Sequence, residues 1–148
     1  MFKHILIPTD GSKLSAKGVK AALRLAKALG ARVTALHVIP PYLPVMYAGL
    51  DGHVGGAARR TFKSNSERAA RLALAVAENE ARAAGVRYAT RFTTDPQPWG
   101  GILRTARAAK CDAIVMASHG RSALGGLILG SETQHVLAHS KLPVLVAR

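Results

Sequence analysis

The sequence has few cysteines, aromatic side chains and acidic side chains, and it has no long apolar run. Of its 148 residues only Cys111 is a cysteine, so no internal disulfide forms and a zinc site with two cysteine ligands is excluded. A lone thiol favours a reducing compartment, and we expect a cytoplasmic protein. Aromatic residues make up 5% of the chain, so we expect an aliphatic core.

Long apolar runs are absent as well. No segment approaches the eighteen apolar residues of a membrane-spanning helix, and residues 1–10 lack the apolar core of a secretory signal peptide. Hydrophobic residues make up 49% and charged residues 20%, which indicates one globular domain. Acidic residues number 8 against 21 Lys and Arg, for a net charge of +13, and this excess suggests an anionic partner.

Short apolar runs alternate with segments of helical period. The runs predict strands at 5–7, 33–39, 86–92, 113–117 and 143–147, and the helical segments predict helices at 12–29, 60–84, 95–110 and 131–139. Because residues 86–92 alternate apolar with polar, that strand is expected at a sheet edge. The order predicts an α/β fold: one domain over residues 1–148, a doubly wound five-stranded parallel sheet with helices on both faces.

Two predicted helices have distinctive faces. In the helix at 60–84, the positions of Leu72, Val76, Asn79 and Ala83 predict a core-facing stripe. The first helix carries a stripe of five cations, which we interpret as a solvated face; nucleic acid is disfavoured because no aromatic residue is interleaved. These five are Lys13, Lys17, Lys20, Arg24 and Lys27.

The most polar strand ends follow the first and fourth strands. In an open parallel sheet, ligands bind beyond the carboxyl ends of the strands where the strand order reverses, and these two loops are expected to meet there. Ordinary βα turns are the alternative for each loop alone. In the second loop, Gly120 follows the strand and Gly130 precedes a helix whose start would attract phosphate. Ser131 and Gln134 also fit a capping box.

The evidence for other functional sites is weaker than that for the loops after the first and fourth strands. His37, within a strand, is expected to be a satisfied core histidine, and Trp99 is expected to be a packing anchor. His135 and His139 have metal-pair spacing but lack the glutamate of a zinc protease, so solvated residues are favoured. The chain has neither the Walker phosphate-binding motif nor the Gly-x-Ser-x-Gly motif of a serine hydrolase.

The chain resembles the universal stress protein family in several segments that span nearly its whole length, in the family's order. These are Ile5 to Ser12, Leu36 to Val38, Met116 to Ser122, Gly130-Ser131 and Leu142 to Val146. The family's ATP signature is Gly-x2-Gly-x9-Gly-Ser/Thr. Gly120, a nine-residue spacer and Gly130-Ser131 match it, while Ala117 replaces its first glycine.

The resemblance implies a Rossmann-like protein that binds an adenine nucleotide, either ATP or AMP. Mg²⁺ is a possible further ligand, bound together with the nucleotide. Asp10 would accept from a ribose hydroxyl, Val38 would meet the adenine edge through its backbone, and the two glycine-bearing segments would surround the phosphates. The implied nucleotide-binding residues are Pro8, Thr9, Asp10, Val38, Ala117, Ser118, His119, Gly120, Arg121, Gly130, Ser131, Glu132 and Thr133.

The implied function is nucleotide-dependent signalling in a stress response. We expect at most slow ATP hydrolysis, because the sequence offers no convincing general base and no phosphate-clamping lysine. The family also implies a homodimer through the last strand, Val144, Leu145 and Val146. We expect no membrane partner and no catalytic or metal-ligating residues. Two alternatives stay open. The first is a nucleotide-independent stress or interaction module, which the replacement of the first signature glycine by Ala117 supports. The second is a basic nucleic-acid binder.

Overall fold

The structure, a computed structural model, describes residues 1–43, 56–118 and 129–147. Its strands and helices alternate as the sequence predicts. In chain order they are β1 (His4–Pro8), α1 (Lys13–Leu29), β2 (Arg32–Ile39), α2 (Gly56–Ala84), β3 (Tyr88–Thr94), α3 (Pro98–Ala108), β4 (Ala113–Ala117), α4 (Ser131–His139) and β5 (Val144–Ala147).

All described strand pairs are parallel, in the order β3-β2-β1-β4-β5. The chain builds outward from β1 to β3, returns to the other side of β1 and continues to β5. The doubly wound α/β fold is therefore confirmed, with its switch point between β1 and β4. The predicted edge position of the third strand is also confirmed, and nearly all of β3 is exposed.

The sheet separates two aliphatic cores. In β1, Ile5 and Ile7 point to the layer formed by α1 and α2, and Leu6 points to the layer that contains α3 and α4. All three side chains are buried almost completely. Alternation along a strand buried on both faces produces this division, and it explains why β1 is apolar without interruption.

Helix α1 packs very closely on β4. A Cβ atom added at Gly18 would lie 2.6 Å from the backbone nitrogen of Ala117 and 3.0 Å from the carbonyl carbon of Met116. The absence of a side chain at Gly18 therefore lets the helix approach the carboxyl end of β4, beside the predicted site.

The predicted core stripe of α2 is wrong. Leu72 is 64% exposed and Val76 is 45% exposed, and Asn79 and Ala83 are exposed as well. The buried residues of this helix are mostly alanines, which let α2 lie close to the sheet and to α1. They are Ala70, Ala73, Leu74, Ala77 and Ala81.

Element boundaries differ from the predicted ones where caps and turns intervene. The third strand begins at Tyr88 because the N–H of Val86 donates to the carbonyl of Ala81 and closes the end of α2. The third helix begins at Pro98 because the Asp95 carboxylate accepts from the N–H of Gln97 at 2.8 Å, which forms a turn before the helix.

Replacing Gly18 by Ala should destabilise the protein by about 1–3 kcal/mol, because the added methyl group meets backbone atoms that cannot rotate away. Urea denaturation measures this loss. The matched control is Gly100→Ala in α3, where the nearest atom to the new Cβ would be 3.5 Å away, so stability should stay equal or rise by up to about 1 kcal/mol. Equal stability of the two variants would contradict the close packing at Gly18.

The Cys111 thiol should be unreactive in the native state. Burial raises its pKa to about 11, and the neighbouring Asp112 carboxylate acts in the same direction. At pH 8 roughly 0.1% of such a thiol is ionised, so Ellman's reagent should react at least ~100-fold more slowly with the folded protein than in urea. Rapid release of one equivalent of product from the folded protein would show that the thiol is accessible.

Candidate functional site

The pairing of β1 with β4 ends before the carboxyl ends of the two strands, and we call the opening between those ends the crevice. Register pairing between these strands covers only Ile5 with Ala113 and Leu6 with Ile114, whereas β1 pairs with β2 over all five of its residues. The two strands therefore separate beyond Leu6. The loops after β1 and β4 both begin at this opening, and residues 119–128 of the second loop lie outside the described residues.

The loop after β1 is held by its own hydroxyl groups. The Thr9 hydroxyl lies 3.0 Å from that of Ser15 and accepts from the N–H of Gly11 at 3.2 Å. Gly11 has a φ of +75°, and a Cβ there would lie 2.8 Å from Ala73 on α2, so both its backbone conformation and its surroundings favour glycine. Ser12 caps α1 by accepting from the N–H of Ser15.

Asp10 is half-buried at the mouth of the crevice. One carboxylate oxygen accepts from the N–H of Ser12 at 2.9 Å, which fixes the side chain over the start of α1. A carboxylate oriented in this way can also accept from a ligand hydroxyl, because its two oxygens together have about four acceptor positions.

The end of β2 forms the next wall of the crevice. His37 is half-buried, and its Nδ1 lies 2.9 Å from the carbonyl oxygen of Thr9. Because a carbonyl only accepts, Nδ1 carries the proton and donates, which agrees with a satisfied structural histidine. Val38 is half-buried against the α3 layer, and Pro8 at the end of β1 is half-buried as well.

Ser118, just after β4, and Gly130, just before α4, lie next to each other. The N–H of Gly130 donates to the carbonyl of Ser118 at 2.8 Å, and the Thr133 hydroxyl lies 3.2 Å and 3.3 Å from the carbonyl oxygens of Ala117 and Ser118. These bonds fix the start of α4 against the end of β4. Thr133 is buried, so its side chain has a structural role.

The predicted capping box at Ser131 is wrong. Gly130 occupies the N-cap position, Ser131 is the first helical residue, and no side chain caps the helix. The Gln134 side chain instead donates to the carbonyl of Leu129 at 2.7 Å. As in any α-helix, the N–H groups of the first turn have no acceptor within the helix. These N–H groups belong to Ser131, Glu132 and Thr133.

The Glu132 side chain binds another helix. Its carboxylate accepts from the N–H of Trp99 at 2.8 Å, at the start of α3. There it balances the positive end of the α3 dipole instead of occupying an anion site at α4. Sequence reasoning missed this contact, since nothing in the pattern links two residues 33 positions apart on different helices.

Ala117 replaces the first signature glycine, and its methyl group fits. Alternation along β4 directs the side chain toward the α1 layer, where Gly18 lies, and Ala117 is buried. The methyl group therefore does not point straight out of the carboxyl end of the strand. Of the other predicted site residues, His119, Gly120 and Arg121 lie outside the described residues.

Trp99 forms a stack with two histidines. Its ring centroid lies 5.7 Å from that of His135 and 4.7 Å from that of His139, which joins α3 to α4. Both histidines are exposed, and His139 Nδ1 donates to the carbonyl of His135. Within residues 1–43, 56–118 and 129–147, no group of three or more metal-ligating side chains is placed to hold a metal ion.

Known proteins are similar to this chain over its whole length. The model of the universal stress protein family matches residues 1–148. A universal stress protein of Thermus aquaticus is 33% identical over 148 residues, covering 100% of both chains. Another from Methanocaldococcus jannaschii is 30% identical over 151 residues, covering 100% of this chain and 83% of the relative.

Solved structures share the fold. The universal stress protein UspA from Lactobacillus plantarum superposes with a TM-score of 0.80 at 20% identity, covering 99% of this chain and 97% of that one. A universal stress protein in complex with cAMP has a TM-score of 0.69 at 24% identity, covering 99% and 97%. One from Archaeoglobus fulgidus in complex with dAMP has a TM-score of 0.64 at 15% identity, covering 100% and 98%.

The family model covers the whole chain, and two relatives are at least 30% identical over all of it. The sheet order is that of a doubly wound α/β fold with its switch point between β1 and β4. The chain belongs to the universal stress protein family.

Proposed function

We propose that the protein binds ATP or AMP in the crevice between β1 and β4 and acts as a nucleotide-dependent signalling protein in a stress response. The observation that carries the proposal is the separation of β1 from β4 beyond Leu6, next to the uncapped first turn of α4. That turn presents N–H groups and a positive dipole end, both of which favour phosphate.

The nucleoside would lie toward β1 and β2. Asp10 would accept from a ribose hydroxyl, and the backbone of Val38 would meet the adenine edge, while Pro8 and Thr9 would line the same side. Thr9 would act through its backbone, because its side chain is buried in the hydroxyl pair with Ser15.

The phosphates would lie toward β4 and α4. Gly130 and the first-turn amides of Ser131, Glu132 and Thr133 would face them, and Ser118 would flank them. By the family signature, Gly120 with its neighbours His119 and Arg121 would complete the site, with Mg²⁺ bound to the phosphates. Because the Glu132 carboxylate accepts from the N–H of Trp99 on α3, it does not occupy the amides of its own helix turn.

The neighbours support an adenine nucleotide as the ligand. Two structures of the same fold are complexes with cAMP and with dAMP, which share the adenine ring and a phosphate. The alternative, a nucleotide-independent module, rested on Ala117, and the direction of its methyl group favours nucleotide binding. We propose slow hydrolysis at most and a cytoplasmic location, in which the lone thiol of Cys111 stays reduced.

We further propose a homodimer through β5. The described edge of this strand is apolar: Leu145 is 48% exposed, and Val144 and Val146 are half-buried. Antiparallel pairing with the same strand of a second copy would satisfy its free backbone groups and cover these side chains.

ATP with Mg²⁺ should stabilise the protein by about 2.7 kcal/mol at a hundredfold excess over the dissociation constant, because only the folded state binds it. Thermal unfolding measures this shift. Trp99, which binds α4 through Glu132, gives a second readout by fluorescence.

Gly130→Val should abolish both responses, since its side chain would occupy the space in front of the first turn of α4. The matched control is Ala108→Val, which replaces a methyl group by an isopropyl group at the exposed end of α3 and should bind as the parent does. A folded parent protein that responds to neither ATP nor AMP would refute the proposal.

Sedimentation equilibrium should give a dimer at micromolar concentration. Leu145→Asp should shift it to monomer, since the added charges would face each other across the proposed interface. Leu137→Asp, at a similarly exposed leucine on α4, should remain dimeric. A monomeric parent would exclude the dimer and leave the nucleotide proposal unaffected.

A further inference from the structure

The positive charge is concentrated on one layer of the molecule. Helices α1 and α2 together carry eleven Lys and Arg residues and three Glu, while α3 and α4 together carry two Arg and one Glu. Eight of the thirteen net charges therefore lie on α1 and α2, whose outer surface we call the basic face.

Most cations of the basic face lack an ion-pair partner among the residues that the structure describes. Its three glutamates make one ion pair each: Glu80 with Lys20, Glu67 with Arg71 and Glu78 with Arg82. The cations that remain run along both helices. They are Lys13, Lys17, Arg24 and Lys27 on α1 and Arg59, Arg60, Lys63 and Arg68 on α2.

Two basic grooves flank α2. The groove between α1 and α2, of about 480 Å³, is lined by Lys20, Leu23, Arg24, Lys27, Glu80 and Ala84. The other, of about 430 Å³, follows the first half of α2 and is lined by Arg60, Lys63, Ser64, Glu67, Arg68 and Arg71.

An apolar ridge lies between the two grooves. Leu72 and Val76 are 64% and 45% exposed, and helical periodicity places them on the outer side of α2, between Arg71 on one side and Glu80 on the other. This is the stripe that the sequence predicts to be core. It is convex, since it stands on the outside of a helix.

We propose that the basic face docks on an anionic lipid bilayer surface, with Leu72 and Val76 entering the headgroup region. Unpaired cations beside protruding aliphatic side chains match negative headgroups above an apolar interior. A nucleic acid would place phosphates against Leu72 and Val76, which offer them no donor, and Asn79 is the one polar side chain of that stripe. A peptide helix would need a concave apolar groove, and both grooves here are charged. The proposal does not depend on nucleotide binding.

This docking is peripheral, and it departs from the expectation of no membrane partner, which considered membrane-spanning segments. Within the described part of the chain, no helix is long and apolar enough to cross a membrane. The contact uses the folded surface of two helices, so the sheet and the crevice at its carboxyl edge stay intact.

Co-sedimentation of the full chain with vesicles tests the proposal. The protein should bind vesicles that contain about 30% phosphatidylserine, should not bind phosphatidylcholine alone, and should dissociate as salt rises. Lys17→Gln with Arg24→Gln should weaken binding by about 25-fold, near fivefold for each cation. Leu72→Ser should weaken it by roughly tenfold.

Control variants on the other face of the sheet, where α3 and α4 lie, make the same kinds of substitution away from the basic face. Arg107→Gln with Lys141→Gln removes two exposed cations, and Leu137→Ser removes an exposed leucine. Both should bind vesicles as the parent does, and melting temperatures should show that every variant is folded. An equal loss in these controls would refute the assigned surface.

A duplex DNA oligonucleotide provides the competing outcome. Absence of binding to anionic vesicles would overturn the proposal, and so would vesicle binding that Leu72→Ser with Val76→Ser leaves unchanged. Tight DNA binding that depends on Lys17 and Arg24 but not on Leu72, together with weak vesicle binding, would assign the face to nucleic acid instead.

Discussion

The short pairing between β1 and β4 is the constraint on which the rest of the structure depends. Two register pairs connect the half of the sheet that contains β2 and β3 to the half that contains β5. The pairing is long enough to hold one sheet and short enough to let the strands separate at their carboxyl ends. Helix α1 spans this junction by packing on β4, where Gly18 permits a very close approach. The short pairing of β1 with β4 therefore determines both the continuity of the sheet and the position of the crevice.

The sequence was sufficient for the fold because its strong signals are local. Strands buried on both faces appear as unbroken apolar runs, and glycine or proline ends each of the first four elements, so their order and type could be predicted. Boundaries depend on single hydrogen bonds. The N–H of Val86 donates to the end of α2 instead of pairing in the sheet, and the pattern of apolar residues does not predict this hydrogen bond.

Much of the candidate site could also be located from sequence, since strand order alone predicts which loops meet. The side-chain roles could not. Ser131 does not cap α4, and Glu132 reaches Trp99 on another helix, because both outcomes depend on how α3 and α4 approach each other. The error at Leu72 and Val76 has a related cause: an alanine-rich helix has two faces of similar apolar period, and close packing selected the one with the smaller side chains.

The two edges of the sheet differ in a way that bears on unwanted association. The β3 edge is long and exposed, and it carries Arg91 with Arg87 just before it, whereas β5 is four residues long and uncharged. Like charges brought together on β3 would repel, so strand-to-strand stacking of many copies is blocked at that edge. Such a chain favours a closed pair through β5 over continued strand-to-strand extension through β3.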